Sequence, residues 1–301
     1  MSLGPAISAD AAAKARPPRR KRQPLTLGRV AFWIVVGIIV VYLLFPFYWA
    51  VRTSIMPDAH MYDTPVQYFP SSPTLSHYGN VFGNSLFVHA LWNSALVGVS
   101  VTVLSLVIGS SAAYALARFN FRGRMLMMYL VLSMTIFPQI AILSALLELV
   151  HDFGIYNSLW ALILTYMLFT LPFTVWVLTS FFRSLPGELE QAAYVDGANP
   201  FQTFYRIMLP LATPGMVTTG LLALIAAWNE FLYAVTFEFT PEHYTVPLAI
   251  VSFTSTAGSA YAVPWGDIMA ATVVVTIPLV VIVLIFQRRI IAGMTAGAVK
   301  G

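Results

Sequence analysis

The chain has 301 residues and no cysteine. Disulfides, thiolate metal sites and cysteine nucleophiles are therefore excluded. Charge is also scarce: Asp, Glu, Lys and Arg make up 9% of the residues, against about 25% in a soluble domain. Lysine nearly vanishes after Lys21, with Lys300 the one exception. No G-x-x-x-x-G-K-[ST] loop occurs, so ATP and Mg²⁺ have no phosphate cradle on this chain. The histidines (His60, His77, His89, His151 and His243) are scattered. They form no metal-ligand pattern and no Ser/His/Asp arrangement, so neither an enzyme nor a resident cofactor is expected. What remains is apolar: 58% of the residues, with a mean hydropathy of +0.78. A soluble fold cannot hide that much apolar surface, and the composition implies an integral membrane protein.

The few charges divide the chain. Charge-free stretches run over 30–51, 64–117, 125–147, 153–182, 207–229 and 268–287. Each supplies the roughly 20 apolar residues a helix needs to cross about 30 Å of hydrocarbon. Barrel strands would be about 10 residues long and alternating, and no such pattern is present. The expected fold class is all-α, with six transmembrane helices at about 29–52, 90–117, 125–148, 155–182, 213–236 and 267–288. Of the sixteen Lys and Arg residues, all but Arg52 fall before the first span, between spans two and three, between spans four and five, or at the end. The positive-inside tendency then places both termini in the cytoplasm. The apolar run at 30–51 exceeds the 7–15 residues of a signal peptide core and lacks a cleavage pattern, so it reads as a retained helix. Residues 1–28 form a basic tail, expected to be disordered and near anionic headgroups.

On this topology 53–87 is a polar, proline-rich external loop and 237–266 a second external loop rich in aromatics. A loop that long is either functional or slack. Prolines at 46, 138, 172, 214 and 278 lie within or beside spans, where each can bend a helix and free a carbonyl. Glu230 sits with Trp228, Asn229 and Tyr233 in the outer part of span five. An ionisable group at membrane depth is a functional candidate, although it can equally bond a neighbouring helix. Aromatic and amide side chains together would suit a sugar, and these four residues are the substrate-path candidates.

The cytoplasmic stretch 184–212 is the least membrane-like part of the interior. Ser184-Leu185-Pro186 reads as a helix start, with Glu188 and Glu190 in the positive first turn. Leu185, Leu189, Ala192 and Ala193 share a face. Gly197 is expected to end the helix in the left-handed conformation. Asn199-Pro200 then restarts a helix as N-cap and N1. Phe201, Phe204, Tyr205 and Met208 follow helical spacing. A helix lying on lipid usually carries basic residues, whereas this one offers Glu188, Glu190 and Asp196. An acidic, small-residue face suits a protein partner better.

The stretch EQAAYVDGANPFQTFYRIMLPLATPG (190–215) resembles the signature loop of ATP-binding-cassette importer permeases, roughly E-A-A-x-x-x-G-x(9)-I-x-L-P. The matching positions are Gln191, Ala192, Ala193, Gly197, Ile207, Leu209 and Pro210. The family's leading glutamate is Gln191 here, with Glu190 just before it, which leaves the salt bridge of that carboxylate open. AWNEFLYA (227–234) and the tail AGMTAGAVKG (292–301) are similar to the carbohydrate branch, typified by the second permease of maltose-type importers. The resemblance covers about residue 30 to the end. It implies a coupling helix, with Glu190, Gln191, Ala192, Ala193, Asp196, Gly197, Ile207, Leu209 and Pro210 carrying ATPase contact. It also implies a second permease, two ATPase copies that bind the ATP and Mg²⁺, an external solute-binding protein reaching the 237–266 loop, and a C-terminal tail at the ATPase. The setting would be a bacterial inner membrane, the cargo a sugar, and nucleic acid no partner. A secondary transporter or channel, without an ATPase, is the alternative from another class.

Overall fold

The computed structural model describes residues 27–256 and 263–298. Residues 1–26 of the expected 1–28 tail and the final residues 299–301 lie outside them, as does Tyr261 of the loop expected at 237–266. All regular structure among the described residues is helical. Two units are distinguished, one up to Tyr48 and one from Trp49 onward. The first consists, in its described part, of most of α1 (Leu27–Ser54), whose apolar side chains from Phe32 to Phe47 are largely exposed. An apolar helix with no polar stripe is a membrane helix.

The second unit is built on α3 (Ser85–Arg118) and α6 (Leu159–Ser184), the most closely packed pair, with α10 (Thr213–Trp228) laid against both. Small residues let the backbones approach, as is usual where helices meet in lipid. A Cβ added at Gly109 of α3 would stand 2.8 Å from the Thr174 methyl of α6. Beside this crossing Ser105 and Thr170 share a hydroxyl hydrogen bond of 2.9 Å. The last long helix is α13 (Trp265–Ala298).

Among the described residues four helices are long and apolar enough to cross a membrane, or up to six if each of two bent pairs counts as one span. The expected single third span is one of these pairs. The helix α4 (Arg124–Ile136) is followed by a 3-10 turn and α5 (Leu143–Asp152), with a bend of 98°. The cause is Pro138, which lacks an N–H and drives Phe137 into the extended region, φ −69°, ψ 132°. The fifth span also departs from expectation. It stops at Trp228 and resumes as α11 (Leu232–Phe237).

Both segments expected to be external hold more structure than loops. Within 53–87 a helix forms, α2 (Ser76–Gly83), which packs against α13. Arg52, the exception to the charge rule, is buried, donates from Nε to the Gln67 carbonyl at 2.9 Å and lies over the Trp49 ring. His77, 2% exposed, faces Asp267 Oδ1 at 2.8 Å and the Met56 carbonyl at 2.9 Å. Both neighbours are acceptors, an arrangement that favours a proton on each ring nitrogen. Burial opposes that charge, but the Asp267 and Met56 bonds and the nearby Asp58 outweigh it and raise the pKa. In 237–266, Val246–Thr256 is a helix, α12, whose Val246, Ala249 and Phe253 enter a core with Phe87, Ile268 and Ala271. Sequence reading missed it because the apolar stripe is short and Pro247 suggests a break. Proline at the first turn of a helix costs nothing there.

Candidate functional site

The segment after α6 is a corner of two short rods. The first, α7 (Glu188–Val195), begins two residues after Pro186, with Gly187 at its N-cap. Gly197 ends it at φ +81°, a region open to glycine at little cost. The Ala198 amide bonds the Ala193 carbonyl at 2.9 Å and the Gly197 amide bonds Tyr194 at 3.1 Å. These are the paired closing bonds of a Schellman turn. Asn199 then opens the second rod with a reciprocal cap: its Oδ1 accepts from the Gln202 amide at 2.8 Å, while Gln202 Oε1 accepts from the Asn199 amide at 3.0 Å. The rod runs as α8 (Pro200–Thr203), a π-helical turn (Phe204–Met208) and α9 (Leu209–Leu211). It meets α10 at a bend of 75°.

The inner side of this corner is bolted to the span bundle. Met208 and Ala212 are fully buried in a cluster with Ala113, Tyr114, Leu178 and Phe182, and Ile207 and Leu209 pack at its edge. The Phe204 ring lies 4.9 Å from that of Tyr114. Ala193 is 3% exposed, whereas Leu189 and Ala192 face outward. Of the expected face, Ala193 is buried and Leu185 packs against the cluster, but Leu189 and Ala192 are exposed; Glu190 takes the inner side with Ala193 instead. Arg118, at the end of α3, causes this. Its Nε stands 3.4 Å from Glu190 Oε1 and its Nη2 donates to the Leu185 carbonyl at 2.8 Å. Gln191 is exposed. Of the three acids expected on the outer face, Glu190 is turned inward, and Glu188 and Asp196 remain outside. The outer face also shows large apolar groups at the corner: Val195 is 87% and Phe201 72% exposed. Pro210 is exposed as well.

The substrate-path candidates occupy the break between α10 and α11. Glu230, 8% exposed, accepts from the Tyr233 amide at 2.8 Å and from the Ala234 amide at 3.3 Å. It therefore serves as the N-terminal cap of α11. Tyr233 is fully buried among Tyr166, Phe169 and Phe237. Trp228 is buried, and Asn229 is exposed with its amide on the Ile225 carbonyl at 2.8 Å.

One buried acid escaped the sequence reading. Glu238, just beyond α11, is 3% exposed and neither carboxylate oxygen has a hydrogen-bond partner. His243 Nδ1 stands 3.7 Å away. Burial pushes the Glu238 carboxyl up to about 7. Next to it Asn157, at φ +55°, accepts from the Phe239 and Thr240 amides at 2.9 and 3.1 Å and ties the α5–α6 turn to this segment.

Residues 105–296 match the family model described as binding-protein-dependent transport system inner membrane component. The chain belongs to this family of multi-pass membrane proteins. It is 41% identical over 274 residues to the trehalose transport system permease protein SugB of Mycobacterium tuberculosis, covering 91% of this chain and 98% of that one. Identity is 37% to the sulfoquinovosyl glycerol transport system permease protein SmoH of Agrobacterium fabrum, over 91% and 95% of the two chains. A chain of a bacterial ABC transporter involved in import of the acidic polysaccharide alginate superposes with a TM-score of 0.75. It covers 88% of this chain and 98% of its own at 22% identity, a likeness of fold.

Proposed function

We propose that this chain is one of two permease subunits of an ATP-driven, binding-protein-dependent importer of a sugar, of di- or oligosaccharide size. The relatives' trehalose and sulfoquinovosyl glycerol cargoes support the sugar class. In this reading both termini are cytoplasmic and the 188–211 corner docks on an ATPase subunit, which binds the ATP and Mg²⁺ itself. A solute-binding protein delivers the sugar from outside. The observation that carries the coupling role is the two-sided build of the corner. Its inner edge is locked to α3 and α6 through Glu190, Ala193 and Met208. Its outer edge presents Val195 and Phe201 on a Schellman turn and a capping box. Exposed apolar groups on a rigid mount are the mark of a protein contact, and a push on them would reach the spans directly. A channel or secondary transporter has no use for such a mount.

The test is Gly197→Leu in the reconstituted complex. A leucine cannot hold φ +81° without strain, so the corner should splay. Uptake should fall about tenfold or more while the inserted amount stays unchanged. Normal, ATP-dependent uptake by this variant would defeat the coupling assignment.

A further inference from the structure

A groove of about 440 Å³ runs between α3, α4 and α6, lined only by apolar residues such as Leu116, Met127, Met134, Leu168 and Leu171. Phe121, in the α3–α4 turn, stands at one end of it. The same Phe121 also lines an open cradle of about 810 Å³ formed with Asn120, Arg122, Arg124 and Arg183. The groove and the cradle therefore meet at one side chain. Arg124 is held by neutral acceptors, Asn120 Oδ1 at 3.0 Å and the Ala117 carbonyl at 3.1 Å. Among the described residues no carboxylate lies within ion-pair distance of Arg122, Arg124 or Arg183. Glu190, the nearby acid in α7, is taken by Arg118.

From these features we infer a binding site for an anionic phospholipid of the cytoplasmic leaflet. Its phosphate would rest among the three guanidinium groups and an acyl chain would fill the groove. The dimensions agree. From Arg124 to Met134 a helix rises roughly 15 Å, which is half of a hydrocarbon core of about 30 Å. Cradle and groove together are thus as deep as one leaflet. Its wall is fully apolar, as a chain requires, and polarity begins at the basic end. A soluble phosphate would use the cradle and leave the groove unexplained. Charge complementarity favours a lipid over a partner helix, because a partner's apolar span would leave three cations unanswered. Basic pockets between spans on the cytoplasmic side commonly hold anionic headgroups.

The inference rests on the orientation proposed above, and its test is kept separate from that of coupling. The whole complex is to be purified from nanodiscs containing equal phosphatidylglycerol and phosphatidylcholine, and its retained lipids counted by native mass spectrometry. Phosphatidylglycerol should be retained selectively. The double variant Arg122→Gln, Arg183→Gln changes two exposed residues, so the fold should persist. Its phosphatidylglycerol retention should fall by about thirtyfold. Leu130→Trp, which fills the groove, should displace the lipid while leaving the cradle charges in place. Equal retention of the two lipids, or unchanged retention in the variants, would overturn the site. So would a cross-link from the Leu130→Cys variant to the second permease in place of a photoactivatable lipid. Failure to assemble with an ATPase would count against the permease reading and leave the lipid count to decide this one.

Discussion

At the scale of single residues, the buried acids separate by what surrounds them. Glu230 is buried but saturated, since two backbone amides of α11 point at it. Glu238 is buried too but accepts no hydrogen bond, with only His243 Nδ1 at 3.7 Å, and burial holds its carboxyl at about 7. An acid with a raised folded pKa binds more protons folded than unfolded. Stability therefore falls as pH rises from the ordinary glutamate range through about 7. Glu238→Gln removes the charge and keeps the shape. Its melting temperature in detergent should exceed that of the wild type at pH 8 and match it near pH 4. A parallel difference at both pH values would show that Glu238 is not the titrating group.

At the scale of elements, α7 carries two neighbouring polar residues with different duties. Glu190 faces Arg118 with 14% of its side chain exposed, and Gln191 faces outward. Removing one partner of a mostly buried ion pair leaves an uncompensated charge. Glu190→Ala should therefore lower stability by about 2 kcal/mol, allowing for partial solvent access. Gln191→Ala should leave the melting temperature unchanged and, on the coupling proposal, weaken ATPase association. Thermal unfolding and co-purification yield distinguish the two. If Gln191→Ala proves the more destabilising, the roles are reversed.

Helical spacing alone could not make this assignment. It places Leu189 and Ala192 with Ala193, yet only Ala193 is buried. A helix this short is oriented by its strongest contact, which here comes from the end of α3. Gly197 and the Asn199-Pro200 pair were legible because they act within four residues of themselves. The same locality explains why Pro138 announced a perturbation. The size of the bend, 98°, depends on what α5 packs against. The α10–α11 break was illegible because 227–234 contains no glycine or proline. The break is made by a glutamate folding back on its own backbone.

At the scale of the whole molecule, the apolar surface of the span helices needs lipid or other subunits to cover it. Leu27–Ser54 shows exposed side chains along its apolar window, and Val195 and Phe201 stand outside the span bundle. Coexpression with a P-loop ATPase, a second permease and a solute-binding protein should yield one co-purifying complex. Its ATP hydrolysis should be stimulated by sugar-loaded binding protein. Transport by this chain without any ATPase would favour the channel or secondary-transporter class instead.

Read alone, the sequence marks a helical membrane protein with a turn-rich segment at 184–212, whereas the 98° bend in the expected third span and the stop of the expected fifth at Trp228 emerge only in the structure. Hydropathy and turn chemistry add up along the chain, so neighbours suffice to read them. Tertiary structure decided which acid meets Arg118, where Arg52 hides its charge, and that an apolar groove opens onto three arginines. Those outcomes depend on residues far apart in the chain, and only packing brings such residues within a few ångströms of one another.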